Sequence, residues 1–170
     1  MIDMSQAPLL AGIHHVKLPV RDLARSREWY ASRLGFEVMT EFVEHGVLMG
    51  YGLRHPRGGP IFGLRLDPAR AEASAGFDYF AIGVPDKAAL DTLATRLTEL
   101  GESHAGVVFA VIGWSLPLLH DPDGHEVRFY TVDHHTAPDA DAVLTVHDAR
   151  ENAERKLREH KDSTSPGTNA

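Results

Sequence analysis

A chain of 170 residues, 43% of them hydrophobic and 24% charged, has the makeup of an ordinary globular domain and is long enough to bury a substantial core. Its formal charge of -7 sets it against phosphate backbones, so no nucleic acid is expected as a partner. The lack of cysteine excludes disulfides, thiolate chemistry and Cys-based zinc sites, and no apolar run reaches membrane-spanning length.

The opening "MIDMSQAPLLAGIHH" has neither a basic start nor a sustained apolar core, so it does not read as a secretory signal, and a cytoplasmic location is the expectation. From Ile13 to Val20 the residues alternate: Val16, Leu18 and Val20 fall on one face, and His15, Lys17 and Pro19 on the other. Asp22 suits a helix N-cap, Leu23, Tyr30 and Leu34 keep helical spacing, and Gly35 suits the left-handed position that ends the helix. Strand character follows at 36–43, 47–53 and 61–66, with "RHPRGGP" as a loop between the last two.

The pattern then repeats. "GIHHVKLPVRDLARSREWYASRLGF" is echoed by "FDYFAIGVPDKAALDTLATRLTELG", with a strand over 77–84, Asp86 as N-cap, a stripe of Leu90, Leu93, Leu97 and Leu100, and Gly101 as terminator. Strands are predicted over 107–112, 114–119 and 126–132, the last preceded by the turn "DPDG". The joining "DPARAEASAG" has room for a helical turn. The chain therefore divides into a unit at 1–135, made of two βαβββ modules over about 12–67 and 76–133, and a polar extension at 136–170. In that extension Glu151 and Arg155, and Glu154 and Arg158, are spaced for a solvated helix that Leu157 alone would anchor, and "KDSTSPGTNA" is expected to be disordered.

These features, "HHVKLPVRDLARSREWYASRLGF", its second copy and "DPDGHEVRFY", resemble the vicinal oxygen chelate superfamily, which includes glyoxalase I, fosfomycin-resistance transferases, extradiol dioxygenases and bleomycin-binding proteins. The resemblance spans Gly12 to Val132. It implies an α+β fold in which two βαβββ modules form a curled, mostly antiparallel sheet with helices outside, often paired as a homodimer.

In that family a divalent metal sits in the sheet concavity, held by residues of the first and last strands of each module. Carried over position by position, His15 matches a first-strand ligand, whereas Tyr79, Arg128 and Gly63 stand where other ligands are usual. Arg128 offers donors only and cannot ligate. Shared strand faces join Lys17 to His15, Arg65 to Gly63, and Glu126 and Tyr130 to Arg128. The expected ligand-binding set is Lys17, Arg65, Tyr79, Trp114, Arg128 and Tyr130, with Glu126 and His15 as the groups fit for proton transfer and Arg128 as oxyanion stabiliser.

The preferred reading is a protein that binds a small anionic or aromatic molecule in the concavity with no cofactor, Arg128 supplying the local positive charge. A metal-dependent lyase, isomerase or dioxygenase using His15 and non-standard ligands is the alternative. A third is a vestigial pocket on a protein that dimerises or binds a partner.

Overall fold

The computed structural model describes residues 13–110 and 113–133, together with positions 151, 154, 155, 157 and 158. The expected disorder of the chain's end lies outside these residues. The elements run β1 (Val16–Val20), α1 (Leu23–Leu34), β2 (Glu37–Glu44), β3 (Val47–Arg54), β4 (Phe62–Leu66), α2 (Pro68–Ser74), β5 (Ala81–Val84), α3 (Lys87–Glu99), β6 (Val108–Ala110), β7 (Gly113–Leu116) and β8 (Arg128–Thr131).

The repeat read from the sequence is present as two four-stranded sheets of the same topology, ordered β1-β4-β3-β2 and β5-β8-β7-β6. In each, the first and last strands are parallel and the other pairs antiparallel. Asp22 and Asp86 cap their helices, accepting from Arg25 N–H at 3.0 Å and Ala89 N–H at 2.8 Å. Gly35 and Gly101, both at φ 78°, take the left-handed turn at the helix ends. The linker forms a full element, α2, opened by Asp67 as N-cap and Pro68 in the first turn. The strand expected over 77–84 is shorter: 77–80 approach as irregular chain, and pairing with β8 begins at Ala81.

One buried cluster runs through both units, from Leu18, Val20, Tyr30 and Phe62 of the first to Leu90, Leu97, Leu116 and Phe129 of the second. The Phe62 and Phe80 rings, 5.1 Å apart, lie where the units meet. Trp29 and Tyr30 both belong to this core, so Tyr30 has no surface left for a dimer contact. Polar ties reinforce the join: Glu102 accepts from Trp29 Nε1 at 3.1 Å and Arg33 Nε at 2.7 Å, and Arg96 donates to the Ser32 carbonyl at 3.0 Å. Leu157 packs against Ala105 and Leu118.

Candidate functional site

On the first sheet the outward-facing residues converge across three strands. Lys17 of β1 pairs with Gly63 of β4, Gly63 with Gly52 of β3, and Arg65 with Gly50. A Cβ placed on Gly63 would sit 3.7 Å from Lys17 Cγ and 3.9 Å from His15 Cδ2, so these two side chains flank it. Gly50 and Gly52 lie under β2: a Cβ on Gly52 would come within 2.7 Å of the Thr40 methyl, and both glycines abut the Phe42 ring. Phe42 therefore rests on a strand stripped of side chains, and it remains 46% exposed. Arg65 is held by both oxygens of Glu44. That hydrogen bonding, with Lys17 adding to it, lowers the Glu44 carboxyl below its ordinary range although exposure leaves it little else.

His15 is exposed just ahead of β1, with its Nδ1 3.0 Å from Nδ1 of His14. Strand alternation would send His14 to the opposite face. It does not, because the regular strand starts only at Val16 and the two imidazoles meet edge to face.

On the second sheet Arg128, 15% exposed, is enclosed by carboxylates. Its Nη2 and Nε donate to Glu126 Oε1 at 2.7 and 3.2 Å, and Nη1 pairs with Asp78 Oδ2 at 3.0 Å. Glu126 is fully buried, and the same oxygen accepts the N–H of Leu118 at 3.1 Å, fixing that residue in its left-handed turn at φ 63°. Burial alone would raise the Glu126 carboxyl; the bonds from Arg128 and Leu118 outweigh it and hold the group below its usual range. Glu126 Oε2 and Ser115 Oγ are buried and lack a hydrogen-bond partner among the described residues. Ser115 pairs with Tyr130 in the ladder, as Gly83 does on the other side.

The expected set is thus divided between two sheets. His15, Lys17 and Arg65 share the first, Glu126, Arg128 and Tyr130 the second, and Tyr79 lies apart from both. Its ring meets Phe77 and its hydroxyl reaches the Ser74 carbonyl at 3.4 Å, while its neighbour Asp78 is the residue that meets Arg128. Lys17 and Tyr79 do line one cavity of about 380 Å³ between β1 and α2. Trp114 departs from the expected concave position. It stands one residue out of phase with Ser115, packs against the core and Phe109, and carries Lys87 of α3 over its ring at 4.9 Å.

The family's metal does not fit this donor set. Gly63 brings no donor, Arg128 brings a cation already paired, and Tyr79 brings a phenol turned toward the Ser74 carbonyl. Among the described residues no three His, Asp or Glu side chains gather closely enough to hold an ion. Glu126, the nearest carboxylate in sequence to the usual position, spends one oxygen on Arg128 and Leu118.

A second cluster escaped the sequence reading. The turn before β8 is a buried polar knot: Asp123 Oδ1 accepts from the Arg21 N–H at 3.0 Å, Arg21 Nε at 2.9 Å and Arg25 Nη2 at 3.1 Å, and Oδ2 from Ser26 Oγ at 2.9 Å. Asp121 accepts from Tyr30 Oη and His125 Nδ1, each at 3.0 Å, and from the N–H groups of Asp123 and His125. Burial first, then the Asp121 charge, pushes the Tyr30 phenol well above its ordinary value, so it stays a donor.

Comparison with known proteins agrees with this architecture. A family profile described as Glyoxalase/Bleomycin resistance protein/Dioxygenase superfamily matches residues 12–129. A crystal structure of a glyoxylase/bleomycin resistance protein/dioxygenase domain from Frankia sp. EAN1pec superposes with a TM-score of 0.59 at 25% identity, covering 72% of this chain and 98% of that one. TnmS3, an antibiotic binding protein from Streptomyces sp. CB03234, superposes with a TM-score of 0.60 at 17% identity, covering 74% and 98%. Catechol-2,3-dioxygenase of Bacillus subtilis (strain 168) is 29% identical over 93 residues, which is 54% of this chain and 33% of that protein. The chain therefore spans about a third of the curated relative's length.

Proposed function

This chain belongs to the Glyoxalase/Bleomycin resistance protein/Dioxygenase superfamily, and we propose that within it the protein binds a small aromatic molecule, one able to carry an acidic group, without the family's metal. The observation that carries this reading is the Phe42 ring, half exposed and backed by Gly50 and Gly52, on the sheet whose far strands β4 and β1 carry Arg65 and Lys17. An aromatic face held on a flat glycine surface is a stacking platform, and Lys17 on the same face of the sheet favours a ring bearing negative charge, Arg65 being paired with Glu44. Arg128, neutralised by Glu126 and Asp78, acts in this reading as a structural charge and not as an anion clamp. The antibiotic-binding description of TnmS3 is in keeping with binding of this kind.

The test is a fluorescence titration with anilinonaphthalene sulfonate in excess chelator. Saturable binding of one probe per chain, weakened about tenfold in Phe42→Ala, is the expected result. Unchanged affinity in that variant would remove the platform from the account.

A second reading rests on β2 as a whole. This edge strand exposes Val38, Met39, Phe42 and Val43, an apolar surface of the sort that marks association. A homodimer formed through β2 would bury it. Sedimentation of Val43→Glu against the parent decides, since a monomer in both argues against the interface.

A further inference from the structure

Away from both sheet faces, three side chains meet in an order that the binding reading does not use. Asp121 Oδ2 lies 3.0 Å from His125 Nδ1, and His125 Nε2 lies 3.2 Å from Ser74 Oγ. Asp121 and His125 are buried, at 5% and 0% exposure, while Ser74 at the end of α2 is only partly covered. We propose that Ser74, His125 and Asp121 form a nucleophilic site that takes the acyl group of a small carboxylic ester.

The polarity of the contacts supports this. With the Asp121 carboxylate accepting from Nδ1, the His125 lone pair is left on Nε2, facing the serine, and Asp121 stabilises the imidazolium that proton uptake creates. Tyr30 and two backbone N–H groups orient Asp121 from the other side. At rest the Ser74 hydroxyl donates to the Arg70 carbonyl at 2.7 Å, the usual bond of a helical serine to the preceding turn. Rotation of the hydroxyl hydrogen alone redirects it to Nε2, since Oγ is already within reach.

The surroundings suit a substrate and not only a tether between α2 and the turn. Ser74 lines the cavity of about 380 Å³ shared with Lys17, Ala73 and Tyr79, and borders a second of about 360 Å³ reaching Phe77. The walls are mostly apolar. Lys17, Arg70 and Tyr79 bring donors to the same cavity for a developing oxyanion, the Tyr79 hydroxyl resting on the Ser74 carbonyl at 3.4 Å.

The chemistry balances with water alone. Ser74 Oγ bonds to the acyl carbon as its proton passes to Nε2; the bond to the leaving alcohol breaks, and that alcohol takes the proton from His125. Water then adds to the acyl carbon, giving its proton to Nε2, and the bond to Oγ breaks as Ser74 recovers its hydrogen. The net products are a carboxylic acid and an alcohol.

The molecule carries its own control. Ser32 in α1 has the same helical bond, to the Glu28 carbonyl at 2.6 Å, but no histidine partner among the described residues. Full-length protein is treated with a fluorophosphonate probe and the adducts are mapped by mass spectrometry over time. Ser74 is expected to react about a hundredfold or more faster than Ser32, as a positioned general base provides. The adduct should vanish in Ser74→Ala, and the protein should hydrolyse p-nitrophenyl acetate at a rate that Ser74→Ala removes. His125→Gln should bring Ser74 down to the rate of Ser32; should that variant not fold, the comparison of the two serines in the parent chain decides alone. No adduct at Ser74, or equal labelling of Ser74 and Ser32, overturns the proposal. Both results are independent of anilinonaphthalene sulfonate binding at Phe42.

Discussion

Asp123 Oδ2 accepts a hydrogen bond from Ser26 Oγ at 2.9 Å, joining the turn before the last strand to the first turn of the first helix. The carboxylate has no exposed surface, and its other oxygen holds two arginines, each 47% exposed, and a backbone N–H. Asp123→Ala leaves the buried Ser26 hydroxyl without this partner and releases both arginines. The expected loss is about 3 kcal/mol of folding stability, measured by urea denaturation. A loss under about 1 kcal/mol would show that the knot is incidental to the join.

Acid should act through the same group. Burial alone would raise the Asp123 carboxyl, but the hydrogen bonds of Arg21 and Ser26 and the charge of Arg25 hold it below its ordinary value. A carboxyl lowered on folding contributes stability that is complete above the unfolded pKa, near about 4, and is lost as pH falls through the lowered folded value, because there the unfolded chain binds more protons. Denaturation midpoints should therefore drop below about pH 4, and the drop should be shallower in Asp123→Asn. An equal slope in both proteins would assign acid sensitivity to other carboxylates, Glu126 first among them, since its pKa is lowered in the same direction.

Arg128 separates a structural charge from a ligand clamp. Arg128→Ala leaves the buried Glu126 carboxylate without its partner, and about 3 kcal/mol of destabilisation is expected. Anilinonaphthalene sulfonate affinity, read at a temperature where the variant is folded, should change less than about threefold. Strongly weakened binding with little loss of stability would restore Arg128 as the clamp its strand position first suggested.

Gly52 tests the Phe42 platform from below. In Gly52→Val the new side chain meets the Thr40 methyl and the Phe42 ring, and overpacking of this kind costs about 1–3 kcal/mol. Weaker probe binding should accompany that loss, because Phe42 must lift off the sheet. Normal stability with normal binding would mean that the ring does not depend on its glycine bed.

Much of the fold was legible because the signals were local. Asp22, Gly35, Asp86 and Gly101 mark helix ends through capping and left-handed turns, which each residue type expresses by itself. Alternation sorted Leu18 and Val20 from Lys17, and Arg128 and Tyr130 from Phe129. The site was less legible, because its contacts are long-range. That Arg128 meets Asp78 follows from the parallel pairing of β5 with β8, and Arg65 meets Glu44 across two strands. The face that Trp114 takes depends on the register of β7 against β8, which no local spacing gives. Asp121 and Asp123 look like turn formers in sequence. Only the docking of α1 makes them a buried knot. Phe42 carried no signal, because β2 is exposed on both faces and follows no apolar period.

The proposal that the protein binds its ligand without the family's metal is tested most directly by elemental analysis of protein purified without a histidine tag. The protein would be measured as prepared and again after addition of manganese, iron, nickel and zinc followed by desalting, with His15→Ala in parallel. The account predicts no stoichiometric metal under any of these conditions and no difference between the two proteins. Close to one equivalent of a single metal per chain, lost in His15→Ala, would contradict it.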